Sequence, residues 1–88
     1  ELVDALVFRA SARRHLGDLQ NALTDAENAL KLDPGNVEAS LENGILHRLA
    51  CRKDGARTSW LEVIRHAPGT TAACSARNYL QQMDGPER

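Results

Sequence analysis

Leu30-Lys31-Leu32-Asp33-Pro34-Gly35-Asn36 closes one amphipathic segment and opens the next. Pro cannot donate to a helical hydrogen-bond ladder and Gly relaxes the backbone, so Pro-Gly after an apolar helical run is a strong stop. The chain repeats the device 34 residues later, in Ile64-Arg65-His66-Ala67-Pro68-Gly69-Thr70. A fixed spacing of this size between helix stops predicts stacked helical hairpins.

Outward from that turn, residues 2–16 read as a first helix, because Val3, Leu6, Val7, Ala10 and Leu16 recur at three- and four-residue steps. Gly17 is the expected left-handed stop. Arg13, Arg14 and His15 fall in the last turn, where positive charge suits the helix dipole. Asp18 is expected to cap a second helix over 19–32, with Ala22, Leu23, Ala26, Ala29 and Leu30 as its buried stripe and Asp25, Glu27 and Lys31 in solvent. Asn36 is placed to cap a third helix over 37–51, whose apolar set is Val37, Leu41, Gly44, Ile45, Leu46 and Leu49. A mid-helix Gly costs about 1 kcal/mol relative to Ala, so Gly44 predicts a close helix contact. A fourth helix is expected over 54–66 around Ala56, Trp60, Leu61, Val63 and Ile64, with Trp60 as core filler. A fifth runs from Thr70 or Thr71 to Met83 and presents Ala73, Ala76, Leu80 and Met83; residues 84–88 read as a polar tail. No stretch alternates with period two, so the chain reads as all-α.

Shifted by 34 residues, the sequence overlays itself: Val3 on Val37, Ala5 on Ala39, Arg14 on Arg48, Ala22 on Ala56, Thr24 on Thr58, Pro34 on Pro68 and Gly35 on Gly69. Ala10 falls on Gly44, and Trp60 falls where the first unit has only Ala26. Small residues facing one another let antiparallel helices cross closely.

This pattern resembles the tetratricopeptide repeat, a 34-residue helix-turn-helix unit. The resemblance rests on Ala10, Gly17-Asp18-Leu19, Ala22, Ala29-Leu30, Leu32-Asp33-Pro34 and Asn36 in one unit, and on Gly44, Ala56, Trp60 and Pro68 in the next. Gly-Ala-Arg-x-x-Trp-Leu at 55–61 makes it most similar to bacterial members. Leu6, Arg9 and Arg13 stand where the family favours Trp, Leu and Tyr, and Cys51 replaces its turn Gly. The resemblance implies a right-handed α-solenoid in a single domain, with repeats at 3–36 and 37–70 and a capping helix at 71–83. It further implies a non-catalytic protein–protein interaction module that takes a peptide or helix on its concave face.

Transferred to this chain, that face comprises Asp4, Val7, Phe8, Ser11, Arg14 and His15, then Glu38, Leu41, Glu42, Ile45, Arg48 and Leu49. Val7 and Phe8 read equally as groove lining or as an edge against a preceding repeat. Core packing is the expectation for Leu41, Ile45 and Leu49. Apolar contacts in such a groove contribute roughly 25 cal/mol per Å². Some family members grip a C-terminal carboxylate with Lys, Asn and Arg; the corresponding slots hold Val7, Ser11 and Glu42, which cannot do so. Arg9, Arg13, Arg14, His15, His47, Arg48, Arg52 and Lys53 gather towards the helix ends, and dipole complementarity with salt bridges to Asp18, Glu42 or Asp54 is favoured over an acidic-partner patch.

Composition narrows the alternatives. The 88 residues carry 11 basic and 12 acidic side chains, a net charge of -1, which gives no general attraction to nucleic acid or anionic membrane. There is no apolar run of membrane-spanning length. No zinc, phosphate-loop or dinucleotide motif appears, so no metal or cofactor is expected, and His15, His47 and His66 lack an evident nucleophile partner. Cys51 and Cys74 fall near opposite ends of two helices, roughly 15 Å apart against a bridging limit of about 7 Å, and read as free thiols. A chain that opens at Glu1 reads as an excised domain or processed product. Leu2, Leu6 and Phe8 then form an uncovered edge, and a terminal cap of a longer array, or homo-oligomerisation through the N-terminal helix, is the alternative function.

Overall fold

The computed structural model describes residues 2–84. Five helices follow one another: α1 (Leu2–His15), α2 (Leu19–Leu32), α3 (Val37–Leu49), α4 (Lys53–His66) and α5 (Thr71–Asp84). There is no strand among the described residues. The ends of α1 and α3, and both ends of α2 and α4, lie 34 residues apart, so the shift that overlays the sequence also overlays the helix boundaries. Asp84 closes α5; the rest of the tail expected at 84–88 lies outside the described residues.

The caps follow local chemistry. The Asn36 side chain accepts the Ala39 amide at 2.8 Å, and Thr70 does the same for Ala73 at 3.2 Å. Asp18 is different from expectation. It precedes α2 but makes no side-chain cap, because its carboxylate takes a hydrogen bond from Asn21 Nδ2 at 2.9 Å instead. The third helix also stops two residues short of the expected 51. Cys51 turns left-handed there, with φ 62°, just as Gly17 does after α1, with φ 84°. The backbone bonds repeat with the turn: Asp18 N–H donates to Arg13 O at 2.8 Å and Arg52 N–H to His47 O at 2.8 Å. A side chain in that conformation costs roughly 1–2 kcal/mol, which the Gly of the first turn avoids.

α1 packs along α2 and α3 along α4; α2 meets α3, α4 meets α5, and α1 and α5 touch α3 more lightly. The Cα envelope is 39 × 28 × 18 Å, a slab about two helices thick. The first core cluster is small: Ala10, Ala22, Leu23 and Ala26, completed by Leu46 reaching across from α3. The second is larger, built on Ala56, Trp60, Val63, Ala76 and Met83, with Leu41, Ile45 and Tyr79 packed against it.

Gly44 explains the difference between the hairpins. A Cβ there would lie 2.2 Å from Trp60 Nε1, so the indole occupies the volume a side chain would take. Trp60 is 1% exposed, its N–H donates to the Leu41 carbonyl at 3.3 Å, and its ring meets Tyr79 of α5 at 5.1 Å between centroids. Gly44→Ala is therefore expected to lower stability by about 1–3 kcal/mol, overpacking outweighing the gain in helix propensity. Cys51→Gly should raise stability by up to about 1 kcal/mol by relieving the left-handed turn. Urea unfolding followed by circular dichroism reads both, and the same sign for the two would contradict this account.

Candidate functional site

Two hollows open along α1 and α3, and α4 and α5 help to line the second. One, of about 350 Å³, is lined by Asp4, Val7, Phe8 and Glu38. The other, of about 520 Å³, is lined by Arg14, Ile45, Arg48, Leu49, Trp60, Tyr79 and Gln82. Each successive turn of a helix face brings residues i, i+3 and i+4 into line, so Glu38, Glu42, Ile45, Arg48 and Leu49 run along one side of α3. Glu42 is buried between the two hollows and holds Arg14 of α1 in an ion pair.

The residues expected on this face divide accordingly. Val7 and Phe8 line the first hollow, and Phe8 is 76% exposed. Arg14, Ile45 and Arg48 line the second. Ser11 lines neither, and Leu41 is drawn into the second core. Ile45 packs on that core and still reaches the hollow; Leu49, expected in the core, is 52% exposed. Trp60 is both core filler and floor of the larger hollow. Tyr79 and Gln82 were not expected there. The same 34-residue shift finds them, since it carries Ile45 onto Tyr79 and Arg48 onto Gln82.

Three arginines of the basic cluster pair with acids of the fold itself. Asp25, expected in solvent, is 1% exposed. Arg9 donates to it from Nε and Nη2, both at 2.9 Å, and Arg13 donates from Nη1 at 3.0 Å. A carboxylate leaves water only when several charge-assisted bonds replace its hydration, and α1 supplies them one turn apart. The expected partner Glu42 pairs with Arg14, whereas Asp54 pairs with Arg57 rather than with the cluster. His15 Nδ1 lies 2.8 Å from the Ser11 carbonyl oxygen.

The second hairpin keeps a polar set in the same place with the charge removed. The shift carries Arg9 to Asn43, Arg13 to His47 and Asp25 to Ser59. Asn43 Nδ2 donates to Ser59 Oγ at 3.1 Å, while Asn43 Oδ1 and His47 Nδ1 have no hydrogen-bond partner among the described residues. Burial, and then the nearby Arg52, hold the His47 imidazolium below its ordinary pKa. The Arg9 hydrogen bond, outweighing the opposing effect of burial and joined by Arg13, holds the Asp25 carboxyl below its own.

Among the described residues there is no group of three or more side chains suited to hold a metal ion. No described helix is long and apolar enough to cross a membrane. Cys51 and Cys74 are both free and exposed.

Both depressed pKa values make acid destabilising. For His47, the unfolded chain takes up a proton below about pH 6.5 while the native state resists, so stability falls from there until the native pKa is reached. For Asp25, stabilisation is complete above about pH 4 and is lost as pH falls through the lower native value. Glu62, held low chiefly by its hydrogen bond with Arg65, adds to that acid limb. A melting-temperature profile is expected to fall in two stages. His47→Gln should flatten the upper stage, and Asp25→Asn should reduce but not abolish the slope of the lower one. Arg9→Ala with Arg13→Ala, which strands a buried carboxylate, should lower the melting temperature at neutral pH.

Residues 3–36 match the family model of the tetratricopeptide repeat. No curated protein and no solved structure matches the chain.

Proposed function

We propose that this tetratricopeptide repeat protein is an interaction module whose α1–α3–α5 face captures a helix or extended peptide of a protein partner. Tetratricopeptide repeats generally mediate protein–protein interaction, and the family is typically non-catalytic. The observation that carries the finer reading is the pair of hollows along α1 and α3, with Phe8 exposed at one and Leu49 at the other. Exposed large apolar side chains grouped along one concave strip mark interaction surfaces more than scattered ones do. Residues 37–70 serve as the second repeat in this reading, and α5 as the closing helix.

A structural role within a longer array is supported by α5 itself. Its buried residues are Ala73, Ala76 and Met83, while Arg77, Asn78, Gln81 and Gln82 face solvent. A polar outer face is what a terminal repeat needs. The two readings are compatible, since the terminal helix also supplies Tyr79 and Gln82 to the groove.

Affinity capture with the immobilised chain tests the groove. Phe8→Asp and Leu49→Asp are expected to weaken retention of a partner at least about tenfold, about 1.4 kcal/mol, whereas Glu27→Lys, at an exposed position of α2, leaves it unchanged. Leu41→Asp is a poorer probe, because Leu41 packs in the second core. A partner retained equally by the groove variants and the wild-type chain would remove the groove from the account.

A further inference from the structure

The groove face carries its uncompensated charge at two separate ends. Asp4 and Glu38 stand with Val7 and Phe8 at one end; Arg48 stands with Ile45, Leu49 and Tyr79 at the other. None of Asp4, Glu38 and Arg48 makes an ion pair among the described residues. Arg14 and Glu42 lie between the ends and neutralise one another. The exposed charge of Arg48 follows from the repeat. The shift that carries Arg14 to Arg48 carries Glu42 to Ala76, a methyl group, so the second unit has the arginine without its acid.

A face that is acidic and aromatic at one end, basic and hollow at the other, and neutral between, is complementary to itself turned end for end. We propose that a second copy of this chain fills the groove. In a two-fold arrangement, Phe8, Asp4 and Glu38 of one copy meet Ile45, Leu49, Tyr79 and Arg48 of the other, and the reciprocal contact forms at the opposite end. The proposal rests on the reading of this face as the binding surface and names its partner. A two-fold contact requires one self-complementary patch, with the axis passing near the Arg14–Glu42 pair. The phenyl ring of Phe8 is 76% exposed and the facing hollow of about 520 Å³ has room for it. An aromatic anchor in an apolar hollow with opposite charges at its rim is the usual make-up of an interface hot spot. Copies aligned in parallel would set Asp4 and Glu38 against their own equivalents, so charge selects the end-for-end arrangement.

Sedimentation velocity of the full chain tests this. A monomer–dimer transition is expected between about 5 and 500 µM, shifting to higher concentration with added salt. The double variant Asp4→Lys with Glu38→Lys, and separately Arg48→Glu, place like charges across both contacts and should weaken association at least about tenfold. An equimolar mixture of those two variants should recover the dimer, because each contact again joins opposite charges. Phe8→Ser should be monomeric throughout, with circular dichroism confirming that every variant is folded. A wild-type chain that stays monomeric, or a mixture of folded variants that fails to recover, overturns the proposal. A monomeric chain that still retains a different partner through Phe8 and Leu49 removes only the second copy and leaves the groove's function standing.

Discussion

The indole of Trp60 lying in the space left by Gly44 is the contact on which the second half of the fold depends. It joins α3 to α4 through close approach, reaches the α3 backbone through its N–H, and offers its face to Tyr79 of α5. One side chain thus ties three helices and also floors the larger hollow. The first hairpin makes the equivalent crossing with Ala10 and Ala26, both fully buried, and has no comparable anchor. Its core is mostly alanine, so burial there supplies little. The Arg9, Arg13 and Asp25 network adds a charged link between α1 and α2 beside that small core. Two copies of one architectural unit are therefore held by different physics.

Much of this was legible in the sequence because the repeat constrains it twice over. The number of helices, the boundaries of α2, the cap at Asn36 and the tight contact at Gly44 all follow from local chemistry. The spacing of the two Pro-Gly turns then places one hairpin after the other. The end of α3 is hard to read because Cys51 itself carries no signal of a left-handed turn; only its alignment with Gly17 does. The burial of Asp25 is hidden for another reason. A single acid beside an apolar stripe reads as solvated, and the arginines that bury it lie 16 and 12 residues away on another helix. Pairing across a hairpin is invisible to periodicity, which reports one helix at a time.

The electrostatics separate interior from surface. Within the first hairpin, and between Arg14 and Glu42, charges are compensated by the chain itself and belong to the fold. On the groove face, Asp4, Glu38 and Arg48 are left over. Arg9 and Arg13 are paired with Asp25 and so differ from Arg48, which has no ion-pair partner among the described residues. The residues that extend the groove on α5, Tyr79 and Gln82, occupy the positions that Ile45 and Arg48 hold on α3. The face is therefore periodic in position while its charge is not.

The contrast between the two polar sets bears on how the chain assembles. Repeats of equal length and matching boundaries invite a helix to dock on the wrong partner, and misassembly is a characteristic failure of repeat proteins. Were α1 to fold back on α4 instead of α2, Arg9 and Arg13 would meet Ser59 and the carboxylate of Asp25 would face Asn43 and His47. Two cations would then lack their anion, and a carboxylate would be buried without its guanidinium partners. Only the native pairing gives the Asp25 carboxylate its two guanidinium partners. A chain built by repetition in this way labels each hairpin with its own polar key, so that similarity of shape does not become ambiguity of register.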